Sequence, residues 1–132
     1  MDRDLYIEMI KTLAISLNDK YSNKRYKGKF NSAIEIVYLA ITLTTKAINK
    51  SKNDKVNLTT DEIIDIVVSV LLPINEKLYK TDSIDIKTFN KINEMLQDVD
   101  AMSPIIGNLI DMSSTAVVVL SKPSFWKKFG CH

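Results

Sequence analysis

A basic segment with interspersed aromatic residues is the first feature of the sequence that could perform chemistry. It reads KYSNKRYKGK from Lys20 to Lys29. Lysine and arginine can neutralise phosphates, and tyrosine rings can stack on bases, as in proteins that bind single-stranded nucleic acid. The alternative is a water-facing loop that is merely rich in lysine, with Tyr21 packed on the preceding helix. The residues predicted to contact a polyanion are Lys20, Tyr21, Lys24, Arg25, Tyr26, Lys27 and Lys29.

A cluster of large aromatic residues near the end of the sequence is the second such feature. Phe125, Trp126 and Phe129 surround Lys127 and Lys128. Three exposed rings are unfavourable in water, so they should pack on the chain's own helices, on a protein partner or on a membrane surface. Because tryptophan is a frequent interface anchor, partner binding ranks equally with self-packing. Membrane docking ranks third because the segment is short.

The sequence contains no pattern typical of a metal or cofactor site. His132 and Cys131 are the single histidine and the single cysteine. They supply at most two adjacent ligands, whereas a structural zinc site needs four. The stretch that begins at Asp19 has the length of a calcium loop, but Lys24 stands where that loop needs glycine. We therefore expect no metal and no cofactor.

Nucleophilic catalysis is also disfavoured. A serine or cysteine nucleophile would need His132 as its base, and a terminal residue is poorly placed for that role. The adjacent carboxylates Asp61 and Glu62 are explained by a helix start, where negative charge is stabilised. The glycines stand apart, so they form no phosphate-binding loop. The sequence predicts no catalytic residue and a protein that is not an enzyme.

The overall composition narrows the function classes. A length of 132 residues fits one domain, and 45% hydrophobic with 26% charged residues is typical of folded proteins. A net charge of +2 argues against an acidic nucleic-acid mimic and against a globally basic protein that coats nucleic acid or membranes in general. Arg3 and Arg25 are the only arginines, which disfavours specific base recognition. The most apolar stretch, 103–121, contains Asp111 near its middle, which disfavours a membrane span.

Localisation and origin can be inferred from two further observations. A single cysteine favours a reducing compartment, so a cytoplasmic location is expected, with a virion as the alternative. The abundance of Ile, Lys, Asn and Asp is compatible with an AT-rich genome, such as that of a bacterium, a phage or a large DNA virus.

Helical spacing of apolar residues predicts five helices that would position these segments. The first covers about 2–18. Its apolar face is predicted to comprise Leu5, Tyr6, Met9, Ile10, Leu13 and Leu17. The second covers about 32–50 and begins with a capping box of Ser32 and Glu35. It carries two apolar stripes, which indicates that most of its surface is covered.

The third predicted helix begins at Thr59 with a second capping box, completed by Glu62, and carries core residues as far as Leu78. Its β-branched residues would also suit a strand, but the capping box and the absence of a partner strand favour a helix. Pro73 lies inside this helix, which predicts a kink or a break around 70–72.

The last two predicted helices follow in close succession. The fourth covers about 85–102, with Asp85 as its cap. The fifth covers about 104–120, with Ser103 as its cap and Pro104 at its first position. Its apolar residues surround almost the whole circumference, so the fifth helix is expected to be the most buried element.

Together these elements predict an all-α fold, a compact bundle of about five helices with the third kinked at Pro73. Residues 1–122 would form the bundle domain, and 123–132 an aromatic and basic tail. The favoured function is a non-enzymatic protein-interaction or structural assembly module, an oligomer or partner-binding protein of viral or phage origin. The alternatives are a nucleic-acid-associated protein that uses 20–29 and a peripheral membrane protein that uses the tail.

Overall fold

The helical periodicity of the sequence is realised as five α-helices in the described part of the chain. The computed structural model describes residues 2–22, 30, 32–51 and 57–111, with 21, 22 and 111 described through their backbone alone. The helices are α1 (Arg3–Ser22), α2 (Ala33–Ser51), α3 (Thr60–Lys80), α4 (Ile86–Leu96) and α5 (Val99–Asp111). The predicted all-α bundle is confirmed.

The helices α2 and α3 occupy the middle of the bundle. They pack on each other, and α1 lies against both on one side, whereas α4 and α5 lie against both on the other. Within the described residues, α1 has no contact with α4 or α5. It is therefore an outer helix with two helical neighbours, and part of its surface points away from every other described helix.

The most extensively buried of the described helices is α2. Its buried residues are Ile36, Val37, Leu39, Ala40, Ile41, Thr42, Leu43, Thr44 and Ala47. The hydroxyl of Thr42 donates to the carbonyl of Tyr38 at 2.8 Å, and that of Thr45 to the carbonyl of Ile41 at 2.9 Å. These bonds satisfy hydroxyl groups that would otherwise be unpaired in a low-dielectric interior. Both predicted apolar stripes of this helix contribute to the core.

The start of α3 is fixed by the predicted capping box. The side-chain oxygen of Thr59 accepts the Glu62 N–H at 3.2 Å, and Glu62 Oε1 accepts the Thr59 N–H at 2.9 Å. Each residue thus satisfies a donor that the first helical turn leaves unpaired. At the start of α2 the two predicted cap residues also meet, since Ser32 Oγ donates to Glu35 Oε1 at 3.4 Å.

The end of α3 is closed by backbone hydrogen bonds of the Schellman type. The Ser83 N–H donates to the Leu78 carbonyl at 2.8 Å, and the Asp82 N–H donates to the Tyr79 carbonyl at 3.2 Å. This arrangement requires a left-handed residue, and Asp82 provides it with φ of 57°. The chain then turns into α4, whose start is capped by Asp85 as predicted.

The helix α3 continues through Pro73 without interruption. The predicted break around 70–72 does not occur, whereas the kink stays a prediction. Proline removes the N–H that would bond to the carbonyl four residues earlier, at Ser69. Ser69 is exposed, so water can bond to that carbonyl instead.

The boundary between α4 and α5 differs from the sequence-based prediction. A single helix was expected as far as residue 102, but α4 ends at Leu96 and α5 begins at Val99. Asp98 separates them, because its Oδ1 accepts the Ala101 N–H at 3.1 Å. This side-chain bond satisfies one of the unpaired donors of the first turn and starts a new helix.

Ser103 and Pro104, predicted as the start of the fifth helix, lie inside α5 instead. Ser103 Oγ donates to the carbonyl of Val99 at 2.9 Å, so it bonds backwards along the helix rather than capping it. Asp98 and Ser103 are both favourable caps. The earlier one starts the helix, and Pro104 is accommodated within it.

The burial expected for the fifth helix does not hold for its described part. In α5 the buried residues are Met102 and Ile106, far fewer than in α2. Residues 112–120, which supplied much of the predicted apolar surface, lie outside the described residues. The burial of that second half stays a prediction.

Candidate interaction surfaces

The residues predicted to form functional sites fall mainly beyond the described ranges. The predicted partner-binding residues Phe125, Trp126 and Phe129 are outside them. The same holds for five of the predicted polyanion-binding residues, namely Lys24, Arg25, Tyr26, Lys27 and Lys29. Lys20 is exposed near the end of α1, and Tyr21 belongs to the same helix. Both predicted sites therefore stay predictions.

The helix α1 carries two adjacent apolar stripes, of which the bundle fully buries one. The buried stripe comprises Tyr6, Ile10, Ala14 and Leu17. The second stripe comprises Leu5, Met9 and Leu13 at four-residue spacing; Leu5 is 64% exposed, and the other two are partly buried. The predicted apolar face that includes Leu5 is therefore only partly buried, because two helical neighbours do not cover so wide an apolar arc.

The second stripe forms the floor of an open groove, which we call the α1 groove. Its lining residues are Leu5, Glu8, Met9, Thr12, Leu13, Ser16 and, from the end of α2, Ser51. Ser51 Oγ donates to the carbonyl of Ile48 at 2.9 Å and lies 3.1 Å from the hydroxyl of Tyr6. These contacts fix the α2 side of the groove relative to α1.

Charged residues stand at the two ends of the α1 groove. At its beginning, Asp2 Oδ1 accepts the Asp4 N–H at 3.2 Å, and at its far end Lys20 is exposed. Each charge suits the dipole of α1 at its own end. Between them, Lys11 Nζ donates to Glu8 Oε1 at 3.2 Å. The groove is thus apolar along its floor, and along the chain it is preceded by the exposed Asp2 and followed by the exposed Asp19 and Lys20.

A charged clamp holds the beginning of α1 on the beginning of α3. Arg3 Nε donates to Glu62 Oε2 at 2.6 Å, Arg3 Nη2 donates to the other carboxylate oxygen, and Nη2 also donates to the Asn57 carbonyl at 2.6 Å. The hydrogen bond from Arg3, and next the backbone bond from Thr59, lower the pKa of Glu62 to about 2. The Glu62 carboxylate therefore has a structural role, since it joins two helices and completes a cap.

A second open groove lies between the start of α2 and one side of α4. Its lining residues are Ser32, Ala33, Asp85, Ile86, Lys87, Thr88, Asn90, Lys91 and Glu94. Lys87 and Lys91 stand one turn apart, and Ser32 follows shortly after the basic segment 20–29 in the chain. Sequence analysis missed this groove because its two walls are some fifty residues apart in the chain.

Two carboxylates in this second groove offset its lysines. Asp85 Oδ1 accepts the Thr88 N–H at 2.8 Å, and this backbone bond holds the pKa of Asp85 below its usual value. Glu94 is the other acidic lining residue and is exposed. With two cations and two anions the groove has no charge excess of its own, so any attraction for a polyanion depends on the adjacent basic segment.

Two fully buried asparagine side chains differ in their hydrogen bonding. Asn75 is fully buried, and its Nδ2 donates to the Phe89 carbonyl at 3.0 Å and to Asn93 Oδ1 at 3.3 Å, which ties α3 to α4, whereas its Oδ1 has no partner within the described ranges. Asn18 on α1 is also fully buried, but neither its Oδ1 nor its Nδ2 has a hydrogen-bond partner within the described ranges. A buried amide without a partner is unfavourable.

The described helices offer neither a cluster of metal ligands nor a membrane-spanning segment. In residues 2–22, 30, 32–51 and 57–111 no three His, Cys, Asp or Glu side chains are grouped so that they could hold a metal ion. In the same ranges, no helix combines the length and the hydropathy that crossing a bilayer requires.

Comparison of the chain with protein-family models, with curated protein sequences and with solved structures finds no match.

Proposed function

We propose that this protein is a non-enzymatic interaction module that binds a protein partner in the α1 groove. The observation that carries the proposal is the stripe of Leu5, Met9 and Leu13 on an outer helix, in which Leu5 is 64% exposed and Met9 and Leu13 are only partly buried against the core. Burial of a leucine side chain contributes about 1.5–3 kcal/mol, so a partner that covers Leu5 would bind more tightly by an amount of this order.

The rigidity of the groove supports this proposal. The Arg3 clamp holds one end of α1 on α3, and the contact of Tyr6 with Ser51 joins α1 to the end of α2. A surface that is fixed before binding loses little conformational entropy when a partner docks. The apolar spacing also suits recognition by a helix, since anchor residues four apart line one side of a groove.

Site-specific photo-crosslinking in cells that naturally produce the protein tests the proposal. A benzoylphenylalanine at Leu5 should form a discrete adduct, and the same group at Ile105 should not. Ile105 is a matched control because it is 42% exposed and lies on α5, which does not contact α1. The purified partner should then bind the Leu5→Glu variant at least about tenfold more weakly than wild type. Equal adducts at both positions, or equal affinities, would contradict the proposal.

A second candidate function is polyanion binding by the basic segment 20–29. The observation that favours it is the position of Lys87 and Lys91 in the groove that Ser32 lines, close along the chain to the end of that segment. The joint variant Lys87→Ala and Lys91→Ala should weaken binding to a single-stranded oligonucleotide and reduce its salt dependence. An unchanged affinity and an unchanged salt dependence would show that the α4 lysines take no part in polyanion binding.

A further inference from the structure

The charges at the ends of the α1 groove share one side of the helix with its apolar floor. Asp2 and Lys20 are eighteen residues apart, which is about five turns at 3.6 residues per turn. Lys20 follows Leu13 by seven residues and Met9 by eleven, and both intervals return to the same side of a helix. Asp2, the apolar stripe and Lys20 therefore form one line along α1, about 27 Å long.

This line on one copy of α1 is complementary to the same line on a second copy that runs in the opposite direction. If two copies of α1 lie antiparallel about a two-fold axis near residue 11, Asp2 of one copy meets Lys20 of the other. In the same register Met9 meets Leu13, and the exposed Leu5 lies opposite position 17, beside the small and exposed Ser16. The opposite charges and the apolar pair of Met9 and Leu13 thus coincide in a single alignment. A parallel alignment would instead place Asp2 against Asp2 and Lys20 against Lys20.

We propose that the occupant of the α1 groove is a second copy of this chain, with its α1 antiparallel and Asp2 of each copy facing Lys20 of the other. This inference rests on the proposed function, because it names the partner that the same groove binds. The interface is isologous, so each contact occurs twice and the assembly closes as a dimer. The antiparallel arrangement also brings the positive end of each helix dipole near the negative end of the other.

Sedimentation equilibrium of the full chain provides the first test. Wild type should show twice the mass of one chain, and Leu5→Glu should raise the dissociation constant by about a hundredfold or more, because the loss occurs twice. The control Ile105→Glu should remain dimeric. Circular dichroism should show the same helix content in all three proteins, since both substituted positions are exposed. A wild type with the mass of one chain, or a dimer unaffected by Leu5→Glu, overturns the proposal.

Charge exchange tests the orientation. Asp2→Lys alone and Lys20→Glu alone should each raise the dissociation constant by about three- to tenfold at low salt. The double variant Asp2→Lys with Lys20→Glu should recover the affinity, because the new lysine again faces the new glutamate. In a parallel dimer the single changes only exchange one like-charge pair for another and leave the affinity unchanged. Unchanged single variants, or a double variant weaker than both, overturn the antiparallel register.

The crosslinking experiment separates failure of this inference from failure of the proposed function. An adduct of position 5 with the chain itself supports both. An adduct with a different protein, together with a wild type of single-chain mass, overturns the self-pairing and leaves the interaction module standing. No adduct at position 5 and a single-chain mass overturn both.

Discussion

The helices α1 and α2 have almost the same length, 20 and 19 residues, and each carries two apolar stripes, yet the bundle treats them differently. Most residues of both α2 stripes are buried, because α2 has neighbours on both sides; the exceptions are Ile34, which is 41% exposed, and Ile48, which is partly buried. Only one stripe of α1 is fully buried, because among the described helices α1 packs on α2 and α3 alone. Periodicity therefore identifies the apolar faces of a helix, whereas the number of its neighbours decides which of them become core.

The largest expected effect comes from making the same substitution on both helices. Leu43→Ala on α2 should lower the free energy of unfolding by about 2–5 kcal/mol, since Leu43 is fully buried and a cavity remains. Leu5→Ala on α1, measured at protein concentrations low enough for the chain to be a monomer, should change it by less than about 0.5 kcal/mol. Urea denaturation measures both values. Similar losses at the two positions would contradict the distinction between inner and outer helix.

The buried amides provide a second comparison of the same kind. Asn75→Leu should lower the free energy of unfolding by about 1–3 kcal/mol, because it removes the bonds to α4. Asn18→Leu on α1 should leave stability unchanged or raise it, because it removes a buried amide without a described partner. Thermal and urea unfolding check both variants. A large loss for Asn18→Leu would show that its amide is satisfied.

A substitution at the end of α3 tests the inner part of the bundle without altering α1. Asp82→Gly should raise the free energy of unfolding by up to about 1 kcal/mol, because glycine adopts a positive φ without steric cost. Asp100→Gly, the same substitution within the first turn of α5, should instead lower it by a similar amount. Urea midpoints measure both changes. A destabilised Asp82→Gly would contradict the strain assigned to this position.

A smaller effect is expected from the clamp that joins α1 to α3. The pKa of Glu62 is about 2, below its ordinary value of 4.5, so its contribution to stability is complete above pH 4.5 and is lost as the pH falls towards 2. The Glu62→Gln variant should therefore lose less stability over this interval than wild type. Urea midpoints across the interval measure the loss. Glu76→Gln, an exposed carboxylate on the same helix, is the control and should follow wild type.

The start signals of the helices could be predicted where a single cap residue was available. The Thr59–Glu62 box and the Asp85 cap occur as expected, because each is a local interaction that the sequence encodes completely. The start of α5 was misplaced because Asp98 and the pair Ser103–Pro104 both satisfy the local rules. The choice between them depends on the packing of the helix that follows.

The α1 groove could be predicted only in part. The residues of its stripe were recognised as apolar, but their exposure depends on which helices surround α1, and that is a property of the whole fold. The groove on α4 could not be foreseen, because Ser32 and Lys91 approach only in three dimensions. The basic segment and the aromatic tail stay predictions, since they fall mainly outside the described residues.

The clamp of Arg3 on Glu62 also has a consequence for biosynthesis. Arg3 and Glu62 are separated by 59 positions in the chain, so α1 is synthesised well before the carboxylate that binds it. At about 5–20 residues per second this interval lasts about 3–12 s. Until α2 has been translated, both apolar stripes of α1 lack their helical neighbours. The clamp on α3 closes later still, so α1 should be open to nascent-chain chaperones during this interval.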